Sequence, residues 1–231
     1  MEHNHKYPPP LRPDQCPAYI LAGGRSSRFG SDKARVQLND KPLLLVLRHA
    51  LIEQGHTVEI VADRTERYAD FGIQCLVDWR AEQGPLAGVA AALKHREQQR
   101  PGWLLLLSCD LLVWRSTWFA QLAGILEQRP LATAAESTAA ERAAIMSAGE
   151  VRQELDAVAF RRRNAGGEPQ AEPFPSLLHS RLGPQAIALL DRQRRALQSL
   201  FAEARTATID AQDNPQAWTF NTVERFHALK P

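Results

Sequence analysis

The sequence is poor in cysteine, with only Cys16, Cys75 and Cys109 among its 231 residues. These residues stand far apart and form no Cys-x-x-Cys pair, which excludes a disulfide framework and a zinc site of the usual ligand spacing. Unpaired cysteines are typical of proteins that work in a reducing compartment. We therefore expect a cytoplasmic protein.

Long hydrophobic runs and a large net charge are lacking as well. No stretch approaches the ~18 consecutive apolar residues that suggest a membrane span, and the N-terminal MEHNHKYPPPLRPDQCP lacks the apolar core of a signal peptide. The formal charge of +2 is small for this length, so no overall basic field favours nucleic acid or a membrane surface. We expect residues 1–16 to form a flexible tail and residues 17–231 a single domain with local binding sites.

The chain does contain a series of short apolar runs, which predict buried strands. These runs are Ala18–Ala22, Val58–Ala62, Gln74–Val77, Trp103–Leu107, Ala157–Phe160 and Thr206–Ile209. Helical periodicity predicts helices at Leu43–Gln54, Leu86–Arg96, Trp118–Glu127 and Pro184–Arg205. The stretch RRRNAGGEPQ predicts a loop. The unbroken hydrophobicity of LLLLSCD is typical of a strand covered on both faces, so we predict a doubly wound α/β fold with a mostly parallel sheet.

The segment ILAGGRSSRFGSDK, residues 20–33, follows the first predicted strand. Its adjacent glycines, Gly23 and Gly24, let backbone N–H groups approach phosphate oxygens closely. The glycine spacing matches neither a P-loop nor a Rossmann dinucleotide fingerprint. Three cations follow, Arg28 and Lys33 among them, and such a loop suits a triphosphate and the charge that develops in phosphoryl transfer. The alternative is a plain basic turn between a strand and a helix.

Two aspartates and a second glycine motif follow other predicted strands. Asp110 comes soon after the most apolar run, and Asp78 directly follows the run that ends at Val77. Gly84 and Pro85 begin the motif Gly-Pro-Leu-Ala-Gly. In a parallel sheet these features and the glycine loop meet at the carboxyl edge, where α/β proteins bind ligands. Asp110 there suits Mg²⁺ bridged to phosphate oxygens. The alternatives are helix caps for the aspartates and a plain turn at Gly84.

These motifs resemble those of the molybdenum cofactor guanylyltransferase family. Its members carry Leu-Ala-Gly-Gly-x-Ser-x-Arg-x-Gly-x-Asp-Lys, then Gly-Pro-Leu-Ala-Gly, then an aspartate that closes a hydrophobic strand. The matching positions here are residues 21–33, residues 84–88 and Asp110. The resemblance implies a Rossmann-like three-layer nucleotide-binding fold with helices on both faces of the sheet, as in nucleotide-diphospho-sugar transferases. It also implies a nucleotide-binding half, residues 17–129, and an acceptor-side half, residues 130–231.

The resemblance further implies an enzyme that transfers GMP from GTP to the terminal phosphate of molybdopterin and releases pyrophosphate. Mg²⁺ would be its cofactor, and molybdoenzymes or their chaperones would be further partners. Arg28, Lys33 and Asp110 would be catalytic, with Asp110 as the magnesium ligand. Asn221 would bind the acceptor. The residues carried over for nucleotide binding are Leu21, Ala22, Gly23, Gly24, Lys33, Asp78, Gly84, Pro85 and Asp110.

The chain departs from the family pattern in three segments. The family's Asp-x-Pro after the metal strand is Asp-Leu-Leu at residues 110–112. The family's Asn-x-Asn-Thr-Pro-Glu is Thr-Phe-Asn-Thr-Val-Glu at residues 219–224, and its Asn-Ala-Asn-Arg is Val-Ala-Asp-Arg at residues 61–64. Sister cytidylyltransferases usually carry Leu-Ala-Ala-Gly and lack Gly-Pro-Leu-Ala-Gly, so Gly23 and Pro85 favour GTP. The alternatives are a related nucleotidyltransferase with another base or acceptor, such as a cytidylyltransferase, and a non-catalytic cofactor-binding adaptor for molybdoenzymes.

Overall fold

The computed structural model describes residues 10–23, 30, 32–80, 82–127, 155–164, 166–212 and 215–229. The strands are β1 (Ala18–Leu21), β2 (Gln37–Leu38), β3 (Lys41–Pro42), β4 (Val58–Ala62), β5 (Leu76–Val77), β6 (Trp103–Ser108), β7 (Ala157–Arg163), β8 (Pro169–His179) and β9 (Thr206–Ile209). The α-helices are α1 (Leu43–Glu53), α2 (Pro85–Gln99), α3 (Ser116–Glu127), α4 (Gly183–Asp191), α5 (Leu197–Glu203) and α6 (Val223–Leu229).

Seven of the strands form one sheet in the order β5-β4-β1-β6-β8-β7-β9. Strand β8 runs antiparallel to its neighbours β6 and β7, and all other neighbouring strands in the sheet are parallel. Every strand of this sheet except β8 therefore points the same way, so their carboxyl ends lie along one edge. The predicted mostly parallel sheet is confirmed.

Two hydrophobic clusters cover the two faces of this sheet. In β6, Leu105 and Leu107 join one cluster with α1 and α3, while Leu104 and Leu106 join the other with α2, α4 and α5. Because successive side chains of a strand point to opposite faces, the four leucines fill both halves of the core. The three-layer arrangement is therefore as predicted. In the part of the chain described above, no helix is long and apolar enough to cross a membrane.

The predicted helix Pro184–Arg205 is wrong, because two helices, α4 and α5, occupy this segment. The chain turns between them at Gln193, whose φ is 62°, and the Arg194 N–H donates to the Leu189 carbonyl at 2.9 Å. The polar residues 192–195 contain no glycine or proline, which are the usual signals of a helix break. The helical periodicity of the sequence therefore gave no sign of the turn and predicted one continuous helix.

Sequence analysis also missed β8 and predicted a loop for RRRNAGGEPQ. The structure has a β-hairpin there, in which β7 extends to Arg163 and β8 begins at Pro169. The prolines of this segment argue against a strand, because proline cannot donate to the ladder. Residues 173–175 bulge out of the pairing with β7, which accommodates two of the three prolines.

The predicted N-terminal tail is only partly within the described residues, because residues 1–9 lie outside them. Pro13–Gln15 form a 3-10 turn, and Cys16 is fully buried in the core. The Arg96 guanidinium donates to the Gln15 carbonyl at 2.9 Å. Residues before the predicted boundary at residue 17 are therefore packed against the domain.

Candidate functional site

Two adjoining cavities open at the carboxyl edge of the sheet. The large cavity has a volume of about 790 Å³ and the small cavity about 560 Å³. The large cavity is lined by Leu21, Gly23, Gly30, Asp32, Lys33, Val61, Asp63, Arg67, Asp78, Glu82, Gly84, Pro85, Gly88, Ser108, Cys109, Asp110 and Phe174. The small cavity is lined by Asp110, Arg162, Glu172, Phe174, Thr219, Asn221, Thr222 and Arg225. Asp110 and Phe174 line both, so the two cavities meet at these side chains.

Asp32 fixes the segment from which Lys33 projects. Its Oδ1 accepts from the Ala34 N–H at 3.1 Å and so caps the 3-10 turn that begins at Lys33. The other oxygen, Oδ2, accepts from the Arg67 guanidinium at 3.0 Å and lies 3.1 Å from the Tyr68 hydroxyl. With both carboxylate oxygens engaged, the backbone around Lys33 is held in one position.

The Lys33 side chain lies where the two cavities meet. Its Nζ donates to Asn221 Oδ1 at 2.8 Å, to the Phe220 carbonyl at 3.1 Å and to Asp110 Oδ2 at 3.3 Å. The side chain is only 13% exposed. The structure thus brings together three predicted site residues, Lys33, Asp110 and Asn221, that are far apart in the sequence. A shielded ammonium of this kind interacts strongly with anions.

Asp110 lies just beyond β6 and is tied to the C-terminal segment. The Phe220 N–H donates to the Asp110 carbonyl at 3.3 Å, and Leu111 pairs with Thr219 in an isolated antiparallel bridge. In the described ranges, no three His, Cys, Asp or Glu side chains come together as a metal site. One carboxylate combined with substrate phosphate oxygens is a common way to hold Mg²⁺. The donor set at Asp110 therefore fits a Mg²⁺ ion that arrives with a nucleotide.

Asp78 projects into the large cavity between two glycines. A Cβ atom on Gly23 would lie 3.4 Å from Asp78 Oδ2, and one on Gly88 would lie 3.0 Å from Asp78 Oδ1. Burial and, to a smaller extent, the Asp63 carboxylate raise the pKa of Asp78, and with Arg67 opposing the rise this pKa lies at about 6. Above this pH the side chain is an ionised acceptor inside the cavity.

Arg67 is a site residue that sequence analysis missed. In addition to its bond with Asp32, it donates through Nη1 to Asp63 Oδ1 at 2.7 Å. This hydrogen bond holds the pKa of Asp63 below its usual range. An aspartate and an arginine four residues apart are too common to mark a site, so the role of Arg67 emerges only from the folded structure.

The second glycine motif begins α2, and its residues Gly84, Pro85 and Gly88 line the large cavity. Gly84 has a φ of 74°, a conformation that favours glycine. Pro85 is the first helical residue, where its missing N–H costs no helical hydrogen bond. Leu21, at the end of β1, lines the same cavity.

Three other predicted site residues, two for nucleotide binding and the catalytic Arg28, are not in the described lining of this cavity. Ala22 is buried, and its carbonyl accepts from the Tyr68 hydroxyl at 2.9 Å. Gly24 and Arg28 lie outside the described residues. Their roles toward a nucleotide stay predictions.

The small cavity contains several residues that sequence analysis did not select. Asn221 was the acceptor-side residue predicted from the resemblance, and it lines this cavity. The bulge at residues 173–175 brings Phe174 to the wall. Arg162 and Arg225 contribute two cations. The arginine run of the sequence gives no sign that its middle member faces a cavity, because that depends on the pairing of β7 with β8.

This sheet, with a glycine turn, a lysine and an aspartate at its carboxyl edge, is the arrangement expected of an α/β nucleotide-binding transferase. The profile of the MobA-like NTP transferase domain family matches residues 18–208. The chain belongs to this family and is a nucleotidyltransferase.

Relatives with curated names cover nearly the whole chain. The molybdenum cofactor guanylyltransferase of Vibrio cholerae is 30% identical over 232 residues, covering 96% of this chain and 97% of that protein. The protein of the same name from Vibrio campbellii is 28% identical over 217 residues, covering 93% and 94%. The crystal structure of molybdopterin-guanine dinucleotide biosynthesis protein A from Archaeoglobus fulgidus has the same fold, with a TM-score of 0.66 at 14% identity and coverage of 92% and 96%.

Proposed function

We propose that this protein transfers GMP from GTP to the terminal phosphate of molybdopterin, forming the guanine dinucleotide cofactor and pyrophosphate. The observation that carries the proposal is the meeting of the two cavities at Asp110, beside Lys33. Two substrates can occupy separate spaces and touch at this one charged point. The names of the relatives support the choice of nucleotide and acceptor.

In the proposed reaction an oxygen of the acceptor phosphate attacks the α-phosphorus of GTP. A new P–O bond forms, and the bond between the α-phosphorus and the oxygen that bridges it to the β-phosphorus breaks. The electron pair of the broken bond leaves with pyrophosphate. No side chain forms a covalent intermediate, so catalysis depends on positioning and electrostatics. Lys33 donates to phosphate oxygens in place of its present acceptors and offsets the developing negative charge.

Mg²⁺ is part of this proposal. Asp110 would hold the ion together with nucleotide phosphate oxygens, in keeping with its single carboxylate. Bound there, the ion would supply positive charge that stabilises the phosphate oxygens in the transition state. Asp110 also orients the Lys33 ammonium through their contact of 3.3 Å.

We assign Asp78 to the nucleoside. Guanine presents N1–H and the N2 amino group side by side, and an ionised carboxylate accepts from both. Cytosine has no such adjacent pair of donors. The pKa of about 6 leaves Asp78 ionised at neutral pH. The glycines Gly23 and Gly88 leave room for the carboxylate beside β1 and α2.

We further propose that residues 17–231 form a single nucleotidyltransferase domain, with residues 17–129 on the nucleotide side and residues 130–231 on the acceptor side. The reaction would run in the cytoplasm, where the three free cysteines remain reduced. Molybdoenzymes or their chaperones would receive the product.

Calorimetric titration of GTP, CTP and ATP with Mg²⁺ tests the nucleotide half of this proposal. We expect selective binding of GTP, weakened about tenfold or more by Asp110→Ala and by Lys33→Ala because each removes a charged contact to the phosphates or their metal ion. Pyrophosphate release with molybdopterin and GTP tests the transfer. We expect Asp110→Ala to abolish release while circular dichroism shows an unchanged fold.

Matched controls remove the same charges away from the site. Lys94 lies 3.8 Å from the centre of the Trp79 ring, outside the described lining of both cavities. Asp191 pairs with Arg80 at 2.6 Å on the surface. Lys94→Ala and Asp191→Ala should leave GTP affinity and turnover unchanged.

Other outcomes would change the assignment. Preferential binding of CTP would indicate a cytidylyltransferase. GTP binding without pyrophosphate release would indicate a cofactor-binding adaptor for molybdoenzymes. If no nucleotide binds, the transferase proposal is wrong.

A further inference from the structure

The small cavity has two arginines that come from distant parts of the chain. Arg162 lies near the end of β7, and Arg225 lies in α6. Both line the cavity of about 560 Å³ that meets the large cavity at Asp110. Two arginine side chains therefore lie beside the space from which a second substrate would approach a bound nucleotide.

Arg162 is incompletely paired in this position. Its Nε is buried and has no hydrogen-bond partner. The nearest carboxylate oxygen, Glu172 Oε2, lies 3.7 Å from this nitrogen, too far for a hydrogen bond. A buried N–H without an acceptor is costly, so a small rearrangement that brings an anion to this guanidinium would be favourable.

The other two arginines of the run are engaged away from the cavities. Arg161 donates through Nη1 to Asp210 Oδ2 and through Nη2 to the Thr208 carbonyl, both at 3.1 Å. Arg163 donates to the Gly167 carbonyl at 2.8 Å. Neither residue is in the described lining of either cavity. Only the central arginine of the run faces the small cavity.

Arg225 is held by two hydrogen bonds to nearby residues of the C-terminal segment. Its Nη2 donates to the Ala217 carbonyl at 3.1 Å, and its backbone N–H donates to Thr222 Oγ1 at 3.2 Å. A guanidinium has five N–H donors. The hydrogen bond to Ala217 uses one of them, which leaves donors for a ligand in the cavity.

We propose that Arg162 and Arg225 form an anion site that binds the phosphate monoester of the acceptor. This inference rests on the proposed function, because it assumes that the acceptor enters through the small cavity. Arginine matches phosphate oxygens in planar, paired hydrogen bonds. Two such groups also offset the repulsion between the acceptor phosphate, the nucleotide phosphates and Asp110. A phosphate dianion can displace the long contact between Arg162 and Glu172.

Steady-state kinetics with saturating GTP and varied molybdopterin test this assignment. We expect Arg162→Gln and Arg225→Gln each to raise the acceptor KM about tenfold with little change in kcat, as for contacts made equally in the ground and transition states. The Kd of GTP, measured calorimetrically, should stay within about twofold of wild type, which also verifies the fold. Arg161→Gln, on the same strand, is the matched control and should leave the acceptor KM unchanged.

The proposal is overturned if Arg162→Gln and Arg225→Gln leave the acceptor KM unchanged, as Arg161→Gln should. It is also overturned if they weaken GTP binding by as large a factor as they raise the acceptor KM. If wild-type protein shows no turnover, the proposed function fails, and a binding measurement decides the anion site by itself. In that case inorganic phosphate is added to ¹⁵N-labelled protein while the arginine Nε–Hε signals are followed by NMR. The Nε–Hε signals of Arg162 and Arg161 are assigned by their absence from Arg162→Gln and Arg161→Gln. On addition of phosphate, the Arg162 signal should shift and the Arg161 signal should not. If the Arg162 signal does not move, the proposed anion site is wrong.

Discussion

Replacing Asp78 by asparagine should stabilise the protein while it weakens nucleotide binding. Burial and the Asp63 carboxylate raise the pKa of Asp78 from 3.8 to about 6, so the ionised side chain is disfavoured in the folded state. This rise corresponds to about 3 kcal/mol, and solvent contact of the half-buried group reduces the figure to about 1–2 kcal/mol. Asparagine has nearly the same shape without the charge. The free energy of unfolding should therefore rise by about 1–2 kcal/mol at neutral pH.

This gain should depend on pH in a defined direction. Between pH 3.8 and about 6 the folded state retains a proton that the unfolded state has released. The penalty for ionisation is therefore complete above that window and falls away as the pH drops through it. Urea unfolding should show a gain at about pH 5 that is about half of the gain at about pH 7.5. A variant that is less stable than wild type at neutral pH, or a gain independent of pH, would refute the reasoning.

Asp63→Asn provides a control of opposite sign. The hydrogen bond from Arg67 holds the pKa of Asp63 below its usual range, so the ionised carboxylate stabilises the folded state at neutral pH. Its replacement should lower the free energy of unfolding, and the loss should disappear as the pH falls.

Calorimetry tests the effect of Asp78→Asn on nucleotide binding. Because this substitution removes the proposed acceptor of the base, it should weaken GTP binding about tenfold or more.

Two further substitutions separate ligand geometry from stability. Gly88→Ala should lower GTP affinity about tenfold or more in calorimetry, because its Cβ would lie 3.0 Å from Asp78 Oδ1; wild-type affinity would contradict the need for glycine there. Burial raises the pKa of Asp156, but hydrogen bonds from Arg205 and Arg181 outweigh it and hold this pKa at about 2. Asp156→Asn should therefore cost about 2 kcal/mol in urea unfolding at neutral pH, a loss that shrinks as the pH falls from about 4 toward 2. Because Asp156 lies at the amino end of β7, its replacement should leave GTP binding unchanged.

Most of the parallel half of the sheet could be predicted from the sequence. The runs that became β1, β4, β5, β6 and β9 are separated by clear turns or helical periodicity and lie within two residues of their predicted bounds. The edge strands β5 and β9 are only partly buried, whereas the central strands β1 and β6 are apolar and largely buried. Such runs are informative because burial on both faces of a sheet demands continuous hydrophobicity. The antiparallel strand β8 could not be predicted in this way, since its prolines are tolerated only through the bulge at residues 173–175.

Some residues of the candidate site could likewise be predicted from the sequence, and others could not. Lys33, Asp78 and Asp110 could be selected because each follows a predicted strand at its carboxyl end, and the parallel sheet gathers those ends. Arg67 and Arg162 could not be selected, because their relevance depends on partners in other elements. Nothing in their local sequence distinguishes them from arginines that face solvent.

The sequence by itself determined the class of fold and most of the proposed nucleotide side of the site, because hydrophobic periodicity and glycine motifs are local properties of the chain. Apart from Asn221, the residues of the proposed acceptor side were decided only by the tertiary structure. The small cavity exists because the bulge of β8, the end of β7 and the segment around Asn221 converge on Asp110. Such convergence depends on how distant segments of the chain pair with one another, and a local sequence pattern does not specify these pairings.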